Sequence, residues 1–139
     1  MPGRAVVVGL LTLVALTACG SDGATATTTT SLPATRLTVE QQRSMVSALC
    51  DTDRQARGGD PVLGRATYYA HAHESLHVLI EDVTQADETA GAHLEGAHNQ
   101  LETAFAYLKQ KPEITAELDL FRSAIEANSK VVGVDATCR

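Results

Sequence analysis

From residue 38 onward the chain repeats apolar positions every third and fourth residue, the period of helices that bury one face. Thr38-Val39-Glu40-Gln41 reads as a capping box. It predicts a first helix from Val39 to Arg57, with Val39, Val46, Leu49 and Ala56 inward, stopped by Gly58-Gly59. Asp60-Pro61 predicts the next start, with Asp as cap and Pro in the first turn. The second helix is expected to run to about Ala86 on an inward stripe of Val62, Ala66, Tyr69, His73, Leu76, Ile80 and Val83. Asp87-Glu88-Thr89 is a hinge and a new helix start, although without Gly or Pro a continuous kinked helix stays open. The third helix carries Leu94, Ala97, Leu101, Ala104, Phe105 and Leu108 on one face. Lys111-Pro112-Glu113 closes it and opens a fourth, with Ile114, Leu118, Phe121 and Ile125 inward. No segment alternates in the way of a strand. Short connections then favour an all-α fold, an up-down antiparallel four-helix bundle over residues 37–139.

The first twenty residues follow another pattern. Arg4 precedes an uncharged stretch from Ala5 to Gly20 with Val6, Val7, Val8, Leu10, Leu11, Leu13, Val14 and Leu16. That is the length of a secretory leader's apolar core and too short for a membrane span. It ends in Leu16-Thr17-Ala18-Cys19-Gly20, an aliphatic residue and two small ones before a cysteine. This segment resembles the lipobox of bacterial lipoproteins. The resemblance implies a signal peptide over residues 1–18, a diacylglycerol on the Cys19 thiol, and cleavage before that residue. It further implies a protein held on the outer face of the plasma membrane, with the membrane itself as a partner through the lipid. Acyl chains bury their methylenes at about 0.8 kcal/mol each, so two or three of them anchor stably. Residues 19–36, rich in Gly, Ser, Ala and Thr with four threonines at 27–30, read as a flexible tether. The Ala/Thr/Val-rich style is similar to lipoproteins of high-GC Gram-positive bacteria.

Cysteine usage agrees with that compartment. With Cys19 assigned to the lipid, Cys50 and Cys138 remain, and outside the cell they are expected to form one disulfide that pins the C-terminal tail to the first helix.

Composition narrows the partners. The 139 residues carry a net charge of −6 and no Lys/Arg cluster, which excludes nucleic acid as the main partner. The acidic positions Glu81, Asp82, Asp87, Glu88 and Glu95 read as a solvated face. Three Tyr and two Phe disfavour an aromatic-caged ligand site, and Tyr68-Tyr69 reads as core plus rim.

All five histidines, at positions 71, 73, 77, 93 and 98, fall on the second and third helices. At about 100° per residue, His73 and His77 lie about 60° and 100° from Leu76, one turn apart beside the core stripe. His98 and Glu102 stand in the same relation to Leu101. His71 and His93 point elsewhere. Counted from Glu88, His77 matches His98 in height and His73 matches Glu102, so an antiparallel hairpin brings His73, His77, His98 and Glu102 together. Imidazoles with a carboxylate suit zinc, copper or iron better than magnesium or calcium. A transition-metal site is therefore the first functional expectation, with zinc or copper as the candidate ion. The second is a structural or interaction module docking an envelope protein, the histidines being incidental. The third comes from His73-Glu74-Ser75-Leu76-His77, which resembles the H-E-x-x-H helix of zinc metalloproteases. That resemblance implies Glu74 as the base of a small hydrolase. The missing strand and the small domain weigh against it, so binding is expected ahead of catalysis. No G-x-S-x-G, phosphate loop or Cys-x-x-Cys is present.

Overall fold

The structure is a computed structural model that describes residues 33–138; the expected leader, lipidation site and most of the tether lie outside these residues. The described residues are all-helical, without strands. They form α1 (Val39–Arg57), α2 (Pro61–His71), α3 (His73–Ala86), α4 (Glu88–Ala106) and α5 (Thr115–Asn128), followed by a 3₁₀ turn over Ser129–Val132. No helix among them is long and apolar enough to cross a membrane.

The helix starts come from local chemistry. Thr38 completes both halves of its capping box: its hydroxyl accepts from the Gln41 N–H at 3.2 Å and its own N–H donates to Gln41 Oε1 at 2.9 Å. Asp60 caps α2 through the Leu63 N–H at 2.9 Å, with Pro61 in the first turn. Asp87 leaves the helix conformation (φ −154°, ψ 105°) and accepts from the Ala90 N–H at 2.9 Å, so α3 and α4 are separate helices. Gly59, at φ 97°, makes the turn between α1 and α2, a left-handed conformation that a side chain would strain.

One expected helix is two. The stretch 61–86 bends at Ala72 (φ −116°, ψ −39°). Ala72 itself keeps helical hydrogen bonds on both sides, its N–H donating to Tyr68 O and its carbonyl accepting from the Leu76 N–H, both 2.9 Å. The chain turns because the two halves have different partners: α2 packs on α1, α3 on α4. The bend shifts the helical phase. Downstream, Leu76, Ile80 and Val83 are buried as expected. Upstream, Val62 (67% exposed), Ala66 and Tyr69 face outward, while Gly64, Tyr68 and Ala72 are buried in their place. In α1, too, the buried face is Met45, Ala48 and Thr52. Val46, Leu49 and Ala56 flank it and Val39 is exposed.

The third helix also ends earlier than expected, at Ala106, with turns leading through Lys111 to α5. Leu94, Ala97, Leu101, Ala104, Phe105 and Leu108 are buried, as are Ile114, Leu118, Phe121 and Ile125. The C-terminal segment contributes Val132, Val134 and Ala136 to this core. The Cys50–Cys138 disulfide (S–S 2.04 Å, Cα–Cα 5.6 Å) ties it to α1.

One acidic residue is not the solvated group expected. Asp82 is buried in α3 and accepts from the Thr35 hydroxyl (2.7 Å), the Arg36 N–H (2.8 Å) and the Arg36 guanidinium (2.5 Å). Burial pushes its carboxyl up, but these three donors outweigh it and hold the group below the usual carboxylate range. Thr35 and Arg36, assigned to the tether, are thus fixed to the helical body. Asp87, the cap of α4, stays exposed as expected.

Candidate metal centre

The α3–α4 hairpin has one register throughout. Thr84 lies against Gly91, His77 against His98, and His73 against Glu102, each pair placed symmetrically about the Asp87 turn. Gly91 makes this possible, since a Cβ there would sit 2.5 Å from Thr84 Cα. The heights counted along the sequence are therefore the heights found.

All four expected residues meet at the start of α3. His73 Nε2 and His77 Nε2 are 3.1 Å apart. His73 Nε2 is also 3.0 Å from Glu102 Oε1, and His98 Nε2 is 3.6 Å from the same oxygen. His73, His77 and His98 can each offer one ring nitrogen with all three within 4.8 Å of one another. A tetrahedral zinc ion at the usual bond lengths sets its donors about 3.3 Å apart. The three measured separations bracket that value.

The pieces differ in burial. His98 is only 2% exposed, His73 is half-buried, His77 is exposed, and Glu102 is 29% exposed. The cluster thus has an inner floor and an outer edge. Nε2 of His98 is buried without a hydrogen-bond partner. Burial pushes the His98 pKa below its ordinary 6.5; Glu102 and Glu95 act against this, and His77 and His73 reinforce it. The shift favours the neutral imidazole, the form of histidine that binds metal ions.

Aromatic rings line the inner side. Tyr68 is fully buried, with its ring 5.7 Å from His73, 6.3 Å from His98 and 5.4 Å from Phe105. Its hydroxyl also lacks a partner, and burial, then Glu102 and Tyr69, push its pKa far up. Tyr69 sits on the rim, 40% exposed, its ring 5.1 Å from His73 and capped by the Arg65 guanidinium at 5.8 Å. One tyrosine of the pair is core and the other rim, but the roles are exchanged: the inward stripe had Tyr69, and Tyr68 is the buried one. Which of the two is buried was not legible, because the bend at Ala72 decides which tyrosine turns inward.

Glu74 does not face this cluster. Its side chain is 94% exposed and approaches Nδ1 of His73, at 3.5 Å, the ring edge away from the converging Nε2 atoms. His71 is exposed, and His93 pairs outside the cluster with Asn128 Nδ2 at 3.0 Å. No protein-family model matches the chain, and no significant match is found to a curated protein or a solved structure.

Proposed function

We propose that this chain is a lipid-anchored extracytoplasmic protein that binds a transition-metal ion through His73, His77, His98 and Glu102. In this reading Cys19 carries the lipid, the segment after it is the tether, and the body is an up-down antiparallel bundle in which α2 and α3 form one bent arm. One observation carries the metal reading. The Nε2 atom of His73 faces a second imidazole nitrogen at 3.1 Å and a carboxylate oxygen at 3.0 Å. A proton on that nitrogen can be directed at only one of them, and the buried Nε2 of His98 is left without a partner in either case. A single cation in their midst would satisfy all four groups. Three imidazoles and a carboxylate suit Zn²⁺ or Cu²⁺.

The test is metal titration of the purified chain against a competing chelator, with elemental analysis of protein prepared without added metal. Stoichiometric Zn²⁺ or Cu²⁺ binding is expected, lost in the His73→Ala, His77→Ala double variant. Binding that survives the double substitution would remove the site. Mass spectrometry of the native protein tests the anchor: a diacylglycerol-modified Cys19 at the amino terminus is expected, and an intact leader with a free thiol refutes it.

A second reading, an envelope interaction module, is favoured by the outward Val62, Leu63, Ala66 and Tyr69 of α2. The hydrolase reading lacks a base facing the ion, since Glu74 lies on the other edge of His73.

A further inference from the structure

The end of the chain is held in two ways. Val134 is fixed by hydrogen bonds: its N–H donates to Ser129 O at 3.1 Å, and its carbonyl accepts from the Ser129 hydroxyl at 3.0 Å. Beyond it, residues 135–138 form a strap in which Ala136 is buried, its neighbours are exposed, and Cys138 is joined to Cys50 of α1. The seat of the strap is loosely filled. A cavity of about 20 Å³, room for one water molecule, lies between Ala136 and Cys138 on one side and Leu49, Leu101, Leu118, Phe121 and Ile125 on the other. Burying one methyl group returns less free energy than fixing the backbone of four residues costs. Exposed polar contacts, such as that of Asp135 with the Thr137 hydroxyl at 2.6 Å, add little. The disulfide therefore carries most of the hold.

The floor under the strap is also the back wall of the histidine cluster. The Phe121 ring lies 6.5 Å from that of His98, and buried Leu101 follows His98 by one turn of α4. The bridge is open to reagents, since Cys138 is exposed and Cys50 is half-buried at the edge of a surface groove. Resting on the metal-binding reading above, we propose that the strap is a redox-operated cover of the metal site: reduction of Cys50–Cys138 by a dithiol frees residues 135–138, admits water behind His98 and lowers affinity for the ion. A thiolate of the reductant attacks Sγ of Cys138; a mixed disulfide forms as the bond to Cys50 breaks, and Cys50 leaves as a thiolate that takes up a proton. The second thiol of the reductant then attacks its own sulfur in the mixed disulfide and displaces Cys138, which is protonated in turn. The protein gains two electrons and two protons, and the dithiol becomes a disulfide. Water behind His98 loosens the apolar shell around the imidazole, and such surroundings govern the affinity of a metal site.

The test has two arms. The first is nitrogen-15 relaxation of the metal-free chain in chelator, before and after dithiothreitol. Residues 135–138 should pass from rigid to mobile on the ps–ns scale, with shifted resonances at Leu101 and Phe121, while helical circular dichroism persists without denaturant. A strap that stays rigid after reduction, or a body that loses its helices, overturns the proposal whether or not the protein binds metal. The second arm is Zn²⁺ competition titration of the oxidised chain and of the Cys50→Ser, Cys138→Ser double variant, which lacks the bridge without offering its thiols to the ion. A loss of about 10-fold in affinity is expected in the variant, the scale of changes in a site's surroundings. Equal affinities would overturn the proposal and leave the metal-binding reading standing. An oxidised chain that binds no ion refutes that reading and the coupling with it.

Discussion

Replacing His98 by leucine should strengthen the metal-free protein while disabling it. His98 is almost wholly enclosed, and its Nε2 has no hydrogen-bond partner. Such an orphaned polar group costs about 1–3 kcal/mol. Leucine is of similar volume and carries no polar atom, and a hydrophobic replacement of similar size loses less than about 1.5 kcal/mol through imperfect fit. The balance is a gain of about 1 kcal/mol, which for a body of this size raises the thermal midpoint by roughly 4–8 °C. Proton linkage adds a second signature. Because the folded pKa of His98 lies below its ordinary 6.5, the unfolded chain takes up the proton first. Its contribution is complete above pH 6.5 and is lost as pH falls from there through the folded value. His98→Leu should lack that part of the acid slope. The assay is urea unfolding followed by circular dichroism, in chelator and again with Zn²⁺. At a free ion concentration about 100 times Kd the wild type gains about 2.7 kcal/mol and overtakes the variant. The order of stabilities should therefore reverse between the two conditions. If His98→Leu lost 2 kcal/mol or more in chelator, the imidazole would be a packing element in its own right. The claim that its nitrogen is held in reserve for an ion would then fail.

Other perturbations test the scaffold around the site. The Cys50–Cys138 bridge spans 88 residues, so Cys50→Ser should cost about 4–5 kcal/mol by chain entropy, read as a lower urea midpoint; an unchanged midpoint would mean that the bridge does not form. Asp82→Ala removes the acceptor shared by Thr35 and Arg36 and should lose about 2–3 kcal/mol, the scale of hydrogen bonds to a charged group. Its partner test is hydrogen exchange, where the Arg36 amide should lose protection. Gly91→Ala forces a Cβ against Thr84 and should destabilise by about 1–3 kcal/mol while also weakening metal binding, because it pries apart the two helices that carry the ligands. Wild-type stability in that variant would contradict the close approach of α3 and α4.

Different parts of the molecule were legible for different physical reasons. Helix starts at Val39, Pro61 and Glu88 follow from caps that act over three residues, and Thr38, Asp60 and Asp87 each use the side chain expected of them. The pairing of His73 with Glu102 and His77 with His98 was legible because a tight turn between two helices fixes the register of everything along them. The bend at Ala72 was not legible. No Gly or Pro marks it, the Ala72 peptide group keeps a helical hydrogen bond on each side, and its cause is tertiary: α2 is drawn to α1 and α3 to α4. A continuous helical phase therefore assigned Val62, Ala66 and Tyr69 to the core, where Gly64, Tyr68 and Ala72 are found.

The same bend explains why the histidine cluster is half open. A straight helix from Pro61 to Ala86 would continue the His73–Leu76–Ile80 face upstream through Tyr69 and Ala66, burying Tyr69 and sealing the outer side of His73. With the phase shifted, the fully buried ring is Tyr68, and the outer wall is the half-open ring of Tyr69, 5.1 Å from His73. In the proposed metal-binding reading, His98 and Tyr68 form the enclosed side, while exposed His77 and partly exposed Glu102 form the outer one. In that reading the division suits an ion held tightly yet exchanged, because exchange requires only the outer residues, His77 first, to move. It predicts an order of loss. Removing the exposed ligand in His77→Ala should chiefly speed ion release, whereas removing the floor in His98→Ala should abolish binding altogether. Stopped-flow transfer of Zn²⁺ to a chelator separates the two. Equal dissociation rates for wild type and His77→Ala would show that the exposed edge does not gate exchange.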